Sequence, residues 1–487
     1  MQPVRLRARL GTALAAAALA MSSGATALAV ASPAVMPAVS DYTFVSASQT
    51  PPTEAACFAV NRRCFTPQGF WATYNLGPLF AAGKDGRGMT VAIVDSFGSD
   101  TMAHDLHVFN NAFGLPHMCG EEGVTCTAGM PTFKTLTIQG SPATIEQSGK
   151  GTGQENKAAW SLEVALDVES VHSFAPGANI LLVTVPTAET LGVQGFPLMM
   201  NAEQYVTDHH LANVISQSFA SAEEGFSSTK SLLNLRHAYI SAAANGVTVL
   251  GSSGDGGTAN IIKTPVAKGG TTVPYPTVEW PASDPLVTGV GGTYLCTDPN
   301  ATTSRVVDSA DPPARCRANP GVAEVGRIAA GGGFSHVFSK PAYQDTLPAG
   351  STSIGSMRGV PDIASEASAT TGPLVYDSNA GLDAGSNAGS GGWYIIGGTS
   401  VSCPQWAGMV AIADQIHGGG LGLINPTLYA IASNPAKYAA DYYDVTTGNN
   451  QLDPSIPGYP ATTGWDPVTG LGTPNAANLL PDLAAGG

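Results

Sequence analysis

The run Gly397-Gly398-Thr399-Ser400-Val401-Ser402-Cys403-Pro404 delivers one serine to an apolar, Ala/Trp/Met-rich stretch that predicts a helix over 404–416. A serine at a strand-to-helix junction exposes its hydroxyl beside unpaired backbone N–H groups, and glycines let an acyl carbonyl approach the main chain. That is an arrangement for nucleophilic attack. The same tripeptide also serves as an ordinary turn with a helix cap, so its partners decide the reading. In Trp160-Ser161-Leu162-Glu163-Val164-Ala165-Leu166-Asp167-Val168, two carboxylates four residues apart share one helix face. Such a pair repels unless it shares a proton or binds a cation, and sharing makes one acid easy and the other hard to ionise. Its flanks are Ala, Leu, Val and Trp with hardly a basic residue, which predicts partial burial. A third acid, Asp255, ends the apolar run Val247-Thr248-Val249-Leu250-Gly251 in the turn Ser252-Ser253-Gly254-Asp255-Gly256-Gly257. It either faces the reacting edge of a sheet or caps its own turn.

Elements must bring these residues together. Apolar runs over 89–95, 179–185, 212–218 and 246–251 read as buried strands, with helical patterns over 158–171 and 231–244. Strands alternating with helices predict an α/β fold with a largely parallel central sheet, helices on both faces and ligands at the carboxyl ends of the strands. No internal repeat is visible. Continuous patterning from about Cys57 favours a single large catalytic domain over 57–487, preceded by an Ala/Pro/Ser/Val-rich leader or linker over 32–56.

The first residues carry Arg5, Arg7 and Arg9, then an apolar run over 10–21 and small residues to Ala31, the pattern of a secretory signal peptide over 1–31. An exported, extracellular protein is expected. No segment offers the roughly eighteen uninterrupted apolar residues of a membrane helix. The seven cysteines group as Cys57 with Cys64, Cys119 with Cys126 and Cys296 with Cys316, leaving Cys403 as a buried free thiol. The formal charge of −15, with only 12% of residues charged, disfavours nucleic acid or an anionic membrane as a partner. A sparsely charged acidic surface also suits acid surroundings.

Glu163, Asp167, Asp255 and Ser400 in this order, with Gly-Thr-Ser-x-x-x-Pro at the serine, resemble the sedolisins, serine-carboxyl peptidases with a subtilisin-like fold. The resemblance extends over about 65–487 and includes Gly331-Gly332-Gly333-Phe334-Ser335, Arg358-Gly359-Val360-Pro361-Asp362 and Gly464-Trp465-Asp466-Pro467-Val468-Thr469-Gly470-Leu471-Gly472. It implies a subtilisin-like three-layer fold, Ser400 as nucleophile, Glu163 as general base, Asp167 as the acid that orients and shares a proton with it, and Asp255 as oxyanion stabiliser. A carboxyl group donates a hydrogen bond only while protonated, whereas Glu163 must be ionised, so activity is expected at acid pH. Asp95 lies where the family has an acid hydrogen-bonded to the catalytic glutamate. Ser218, Phe219 and Ala220 resemble the strand that aligns the peptide, although relatives often have Trp and then Gly after the serine.

By the same resemblance, Asp444, Val445, Thr462, Gly464 and Asp466, within 441–472, form a site for one Ca²⁺. Two carboxylates and three backbone carbonyls suit that hard cation. An Asp-His-Ser triad of Asp95, His104 and Ser400 has no glycine-flanked histidine loop at Ala103-His104-Asp105, and His172 has none either. Because only 32–56 separate the signal from the domain, self-removal of a long prosegment is not expected. The sequence thus predicts a secreted, monomeric, calcium-stabilised endopeptidase acting on proteins or peptides. The alternatives are a tripeptidyl-peptidase of the same kind and a silent binding protein with this fold.

Overall fold

Each of the four predicted apolar runs becomes a strand of one sheet. The computed structural model describes residues 36–37, 41–138, 154–186, 195–262, 271–308, 310, 314–379 and 391–486. The predicted signal peptide lies outside them, while the predicted leader is described at 36–37 and 41–56. The described strands used below are β1 (Met36–Pro37), β2 (Asp41–Ser46), β3 (Thr90–Ser96), β4 (Phe133–Thr137), β5 (Asn179–Val185), β6 (Val214–Gln217), β7 (Phe219–Ala222) and β8 (Thr248–Ser252). The central sheet runs in the order Glu324–Gly326, Thr288–Leu295, β8, β6, β3, β5, β4, with Ile363–Glu366 also pairing Thr288–Leu295. Every pairing in it is parallel except that of Glu324–Gly326 with Thr288–Leu295. β3, β6 and β8 are almost wholly buried, as parallel strands covered on both faces must be. This is the expected three-layer, subtilisin-like α/β fold.

Two helices on one side of the sheet carry Glu163, Asp167 and Ser400. The helix Gln154–Phe174, called the acid helix here, is buried almost all round from Ala158 onward, because it is caught between the sheet and the helix Thr399–His417, the serine helix. The serine helix starts five residues before the expected Pro404. Its first turn, Thr399–Ser402, closes without needing the proline N–H, and Ser402 Oγ donates to the Thr399 carbonyl (2.9 Å). Trp406 fills the core behind it, donating its indole N–H to the Ala364 carbonyl (2.9 Å).

Three expectations change. The helix predicted over 231–244 is split into Thr229–Leu233, a 3₁₀ turn at Asn234–Arg236 and His237–Ala244, where Arg236 turns to pair with Asp284. A helix over Phe196–Asp208 joins β5 to β6 and was not anticipated. The folded region also begins before the expected boundary near Cys57. β2 pairs antiparallel with Gly392–Gly397, the strand that feeds the serine turn, and β1 pairs antiparallel with β7 (Met36↔Ala220, Pro37↔Phe219).

Candidate active site

Glu163 and Asp167 sit one turn apart on the acid helix, and both are wholly buried. Burial, then the neighbouring Asp167, raises the Glu163 pKa well above the usual carboxylate range; the Ser400 hydroxyl opposes the rise, while Asp95 and Asp255 add to it. Ser400 Oγ and both Glu163 oxygens are nonetheless buried without a hydrogen bond of ordinary length and angle. The Ser400 hydroxyl is still near enough to Glu163 to favour its ionised form. Asp167 is also raised, by burial and then by Asp95, against which Ser218 donates its hydroxyl to Asp167 Oδ1 (2.9 Å). Burial thus holds both acids of the pair toward their protonated forms.

Asp95 ends β3 beneath this pair, wholly buried and pushed up to about 8 by desolvation. The hydrogen bond to Glu163 that the family resemblance implies is not made: neither Asp95 oxygen has a hydrogen-bond partner. Its influence on Glu163 and Asp167 is through charge alone.

Ser400 is the second residue of its helix, and the turn that delivers it has no room for side chains. Gly398 sits at φ +142°, and a Cβ on Gly397 would come within 1.9 Å of the Ala369 nitrogen. The Ser400 N–H meets no acceptor among the described residues, as expected of a donor in the first turn of a helix. Asp255 lies across from it on the turn after β8. Its Oδ1 accepts the Thr399 N–H (2.9 Å), while Thr399 Oγ1 accepts the Gly254 N–H (3.0 Å) and donates to the Gly254 carbonyl (3.2 Å). The acid turn and the serine turn are thus bolted together.

Two charged neighbours escaped the sequence reading. Arg327 forms an ion pair with Asp255, and Glu279, pushed up to about 8 by burial and by the charge of Asp255, packs against Gly254. Asp255 and Arg327 open together onto a cleft of about 370 Å³ also lined by Asp41, Tyr294, Arg315 and Thr370. No local pattern marks either neighbour, since each arrives from a distant segment.

Ser218 precedes β7, and its hydroxyl is committed to Asp167, which gives it a positioning role beyond the substrate-binding one expected. Phe219 and Ala220 present their backbone to β1, while Ala222 and Ser221 pair with Glu279 and Trp280. Histidine chemistry has no support in the geometry. His104 pairs with Glu122 (2.5 Å), and the buried His172, lowered to about 4 by desolvation, is bound to the Pro116 carbonyl (2.8 Å).

The C-terminal loops bring Asp444 and Asp466 together around 462–464. Gly464 N–H donates to Asp444 Oδ2 (3.0 Å) and Thr462 N–H to Asp466 Oδ2 (2.8 Å). Burial raises Asp444 and pushes Asp466 up to about 7. Asp444 Oδ1 is buried without a partner, and among the described residues no hydrogen bond is accepted by the carbonyls of Val445, Thr462 or Gly464. Elsewhere, three disulfides join the expected cysteine pairs, and Cys403 is a buried free thiol pushed up to about 12 by desolvation.

The sequence profile of the Subtilase family matches residues 145–437. Kumamolisin of Bacillus sp. (strain MN-32) is 29% identical over 83% of this chain, and Sedolisin of Pseudomonas sp. (strain 101) is 30% identical over 82%. Tripeptidyl-peptidase 1 of Homo sapiens is 29% identical over 68%. The chain spans 61%, 58% and 53% of the length of these three relatives. A solved structure of Pseudomonas sedolisin, described as a serine-carboxyl proteinase complexed with two molecules of pseudo-iodotyrostatin, superposes with a TM-score of 0.63 at 26% identity, covering 87% of this chain and 99% of that one.

Proposed function

This chain belongs to the subtilase family, in its sedolisin group, and on that premise we propose that it is a peptidase whose nucleophile is Ser400 and whose base is the Glu163–Asp167 carboxyl pair. The observation that carries the reading is the buried acid pair on one helix facing the serine at the head of the next, with no histidine beside it. A peptide that takes the place of β1 along β7 is attacked by Ser400 Oγ, whose proton passes to Glu163 while Asp167 shares the pair's remaining proton. The oxyanion takes hydrogen bonds from the Ser400 N–H and from protonated Asp255. Glu163 then protonates the amine as the C–N bond breaks, leaving an ester on Ser400, and water reverses the sequence.

The pH range follows from exclusive demands on Asp255. An ion pair with Arg327 needs the carboxylate, and donation to an oxyanion needs the acid, so the working form is reached by acidification. Endopeptidase action is the proposed mode, with tripeptidyl release the alternative. Secretion is supported by the disulfides and by the character of the first 31 residues; among the described residues no helix is long and apolar enough to cross a membrane.

Asp444, Asp466 and the carbonyls of Val445, Thr462 and Gly464 fit one Ca²⁺. The orphaned Asp444 Oδ1 and three uncommitted carbonyls are the hard oxygen donors such an ion takes. Bound there, the ion supplies charge neutralisation that holds the two loops together.

Acyl-enzyme trapping tests the nucleophile. The protein is mixed with a peptide ester near pH 4, quenched in strong acid and digested. The acyl mass is expected on the peptide containing Ser400 and absent in Ser400→Ala; an acyl group elsewhere, or none during turnover, refutes the assignment.

A further inference from the structure

Near the C-terminal end of the acid helix, where His172 feels the charges of Glu121 and His117, the chain builds a second cluster that peptide hydrolysis does not use. His107, from the helix Met102–Phe113, and His117, from the loop that follows, stack with ring centroids 5.1 Å apart and an interplanar angle of 19°. Both Nδ1 atoms face one carboxylate: His117 Nδ1 lies 2.7 Å and His107 Nδ1 3.5 Å from Glu121 Oε2. All three atoms fall within 4.8 Å of one another. The Glu121 side chain is wholly buried, and His107 Nδ1 is itself buried without a hydrogen bond.

We propose that His107, His117 and Glu121 form a binding site for one divalent transition-metal ion of the Zn²⁺ class. Two imidazole nitrogens and a carboxylate oxygen are the donor set of zinc and its neighbours, whereas Ca²⁺ and Mg²⁺ prefer all-oxygen shells. Tetrahedral ligands about 2.0–2.1 Å from zinc lie about 3.3 Å apart, close to the 3.5 Å separation of His107 Nδ1 from Glu121 Oε2. The other oxygen of Glu121 is held from behind, accepting from Asn110 Nδ2 (2.6 Å) and from the Met118 N–H, the outer support a metal-ligating carboxylate needs. The Cys119–Cys126 disulfide braces the same loop. Both histidine side chains are about one-third exposed, at 35% and 37%, and His107 lines an open cleft of about 650 Å³ that gives an ion and its water a way in. The rival account is an ordinary histidine–carboxylate ion pair, but that leaves His107 Nδ1 buried and unbonded beside a second, stacked imidazole.

The test uses the folded, calcium-loaded protein at about pH 7.5, where ordinary imidazoles are neutral. Titration calorimetry with ZnCl₂ is expected to give one saturable site, and CoCl₂ to give visible ligand-field absorption. His107→Ala and His117→Ala, singly and together, should weaken zinc more than the roughly 10–100-fold cost of outer-shell changes, while His209→Ala leaves it unchanged. No saturable zinc site in the folded protein, or equal affinity in the double variant, overturns the proposal.

Discussion

Ser218 shows how one hydroxyl can set the working range of the site. By donating to Asp167 Oδ1 it favours the ionised form of an acid that burial and Asp95 push the other way. Without it the Glu163–Asp167 pair holds its protons to higher pH and supplies less base in acid. Ser218→Ala is therefore expected to move the acid limb of kcat to higher pH and to lower kcat at about pH 4 roughly tenfold, the worth of one hydrogen bond to a charged group. An unchanged pH profile would reduce Ser218 to a structural residue. At this scale Glu163, Asp167, Asp255 and Ser400 were legible because each carries a local anomaly: acids on an apolar helix face, an acid in a glycine turn, a serine after two glycines. Arg327 and Glu279 were not. A lone charge in an irregular segment gains meaning only when folding sets it against Asp255.

Elements position these residues, and their ends are where the sequence reading drifted. Asp41-Tyr42-Thr43-Phe44-Val45-Ser46 has the β-branched and aromatic composition of a strand, yet its Pro/Ala-rich surroundings hid the signal. The break at Asn234–Arg236 accompanies the pairing of Arg236 with Asp284, 48 residues further along the chain and invisible to helical periodicity. The C-terminal loops have little regular structure of their own, so their order should depend on the ion proposed for Asp444 and Asp466. Removing calcium with EGTA is expected to lower the unfolding temperature by several degrees, since a ligand at a hundred times its Kd contributes about 2.7 kcal/mol. Asp444→Asn should abolish that difference. A wild-type unfolding temperature indifferent to EGTA and to added calcium would remove the ion from the account.

For the whole molecule, the buried acids make a joint prediction about stability. Burial pushes Asp95 and Asp414 up to about 8 and Asp105 to about 6, and Glu163, Asp167, Glu169, Glu203 and Asp377 also lie well above their ordinary range. Unfolded carboxyls titrate near 4, so the folded state keeps protons that the unfolded chain has shed. This stabilisation is full below about pH 4 and is lost as pH rises through about 8, the reverse of common acid denaturation. In EGTA, the Ser400→Ala protein should unfold at higher temperature at about pH 4.5 than at about pH 8.5; the opposite order contradicts the burial of these acids. The fold class was legible at this scale because alternating apolar strands and helices leave few alternatives, whereas the charge balance of the interior was not, since burial is a property of the folded chain. The most direct test of the central claim is hydrolysis of an unfolded protein across about pH 2 to 8 by wild type, Ser400→Ala and Glu163→Gln. The account predicts cleavage confined to acid and reduced by roughly a thousandfold or more in both variants; a neutral optimum that survives Glu163→Gln would contradict it.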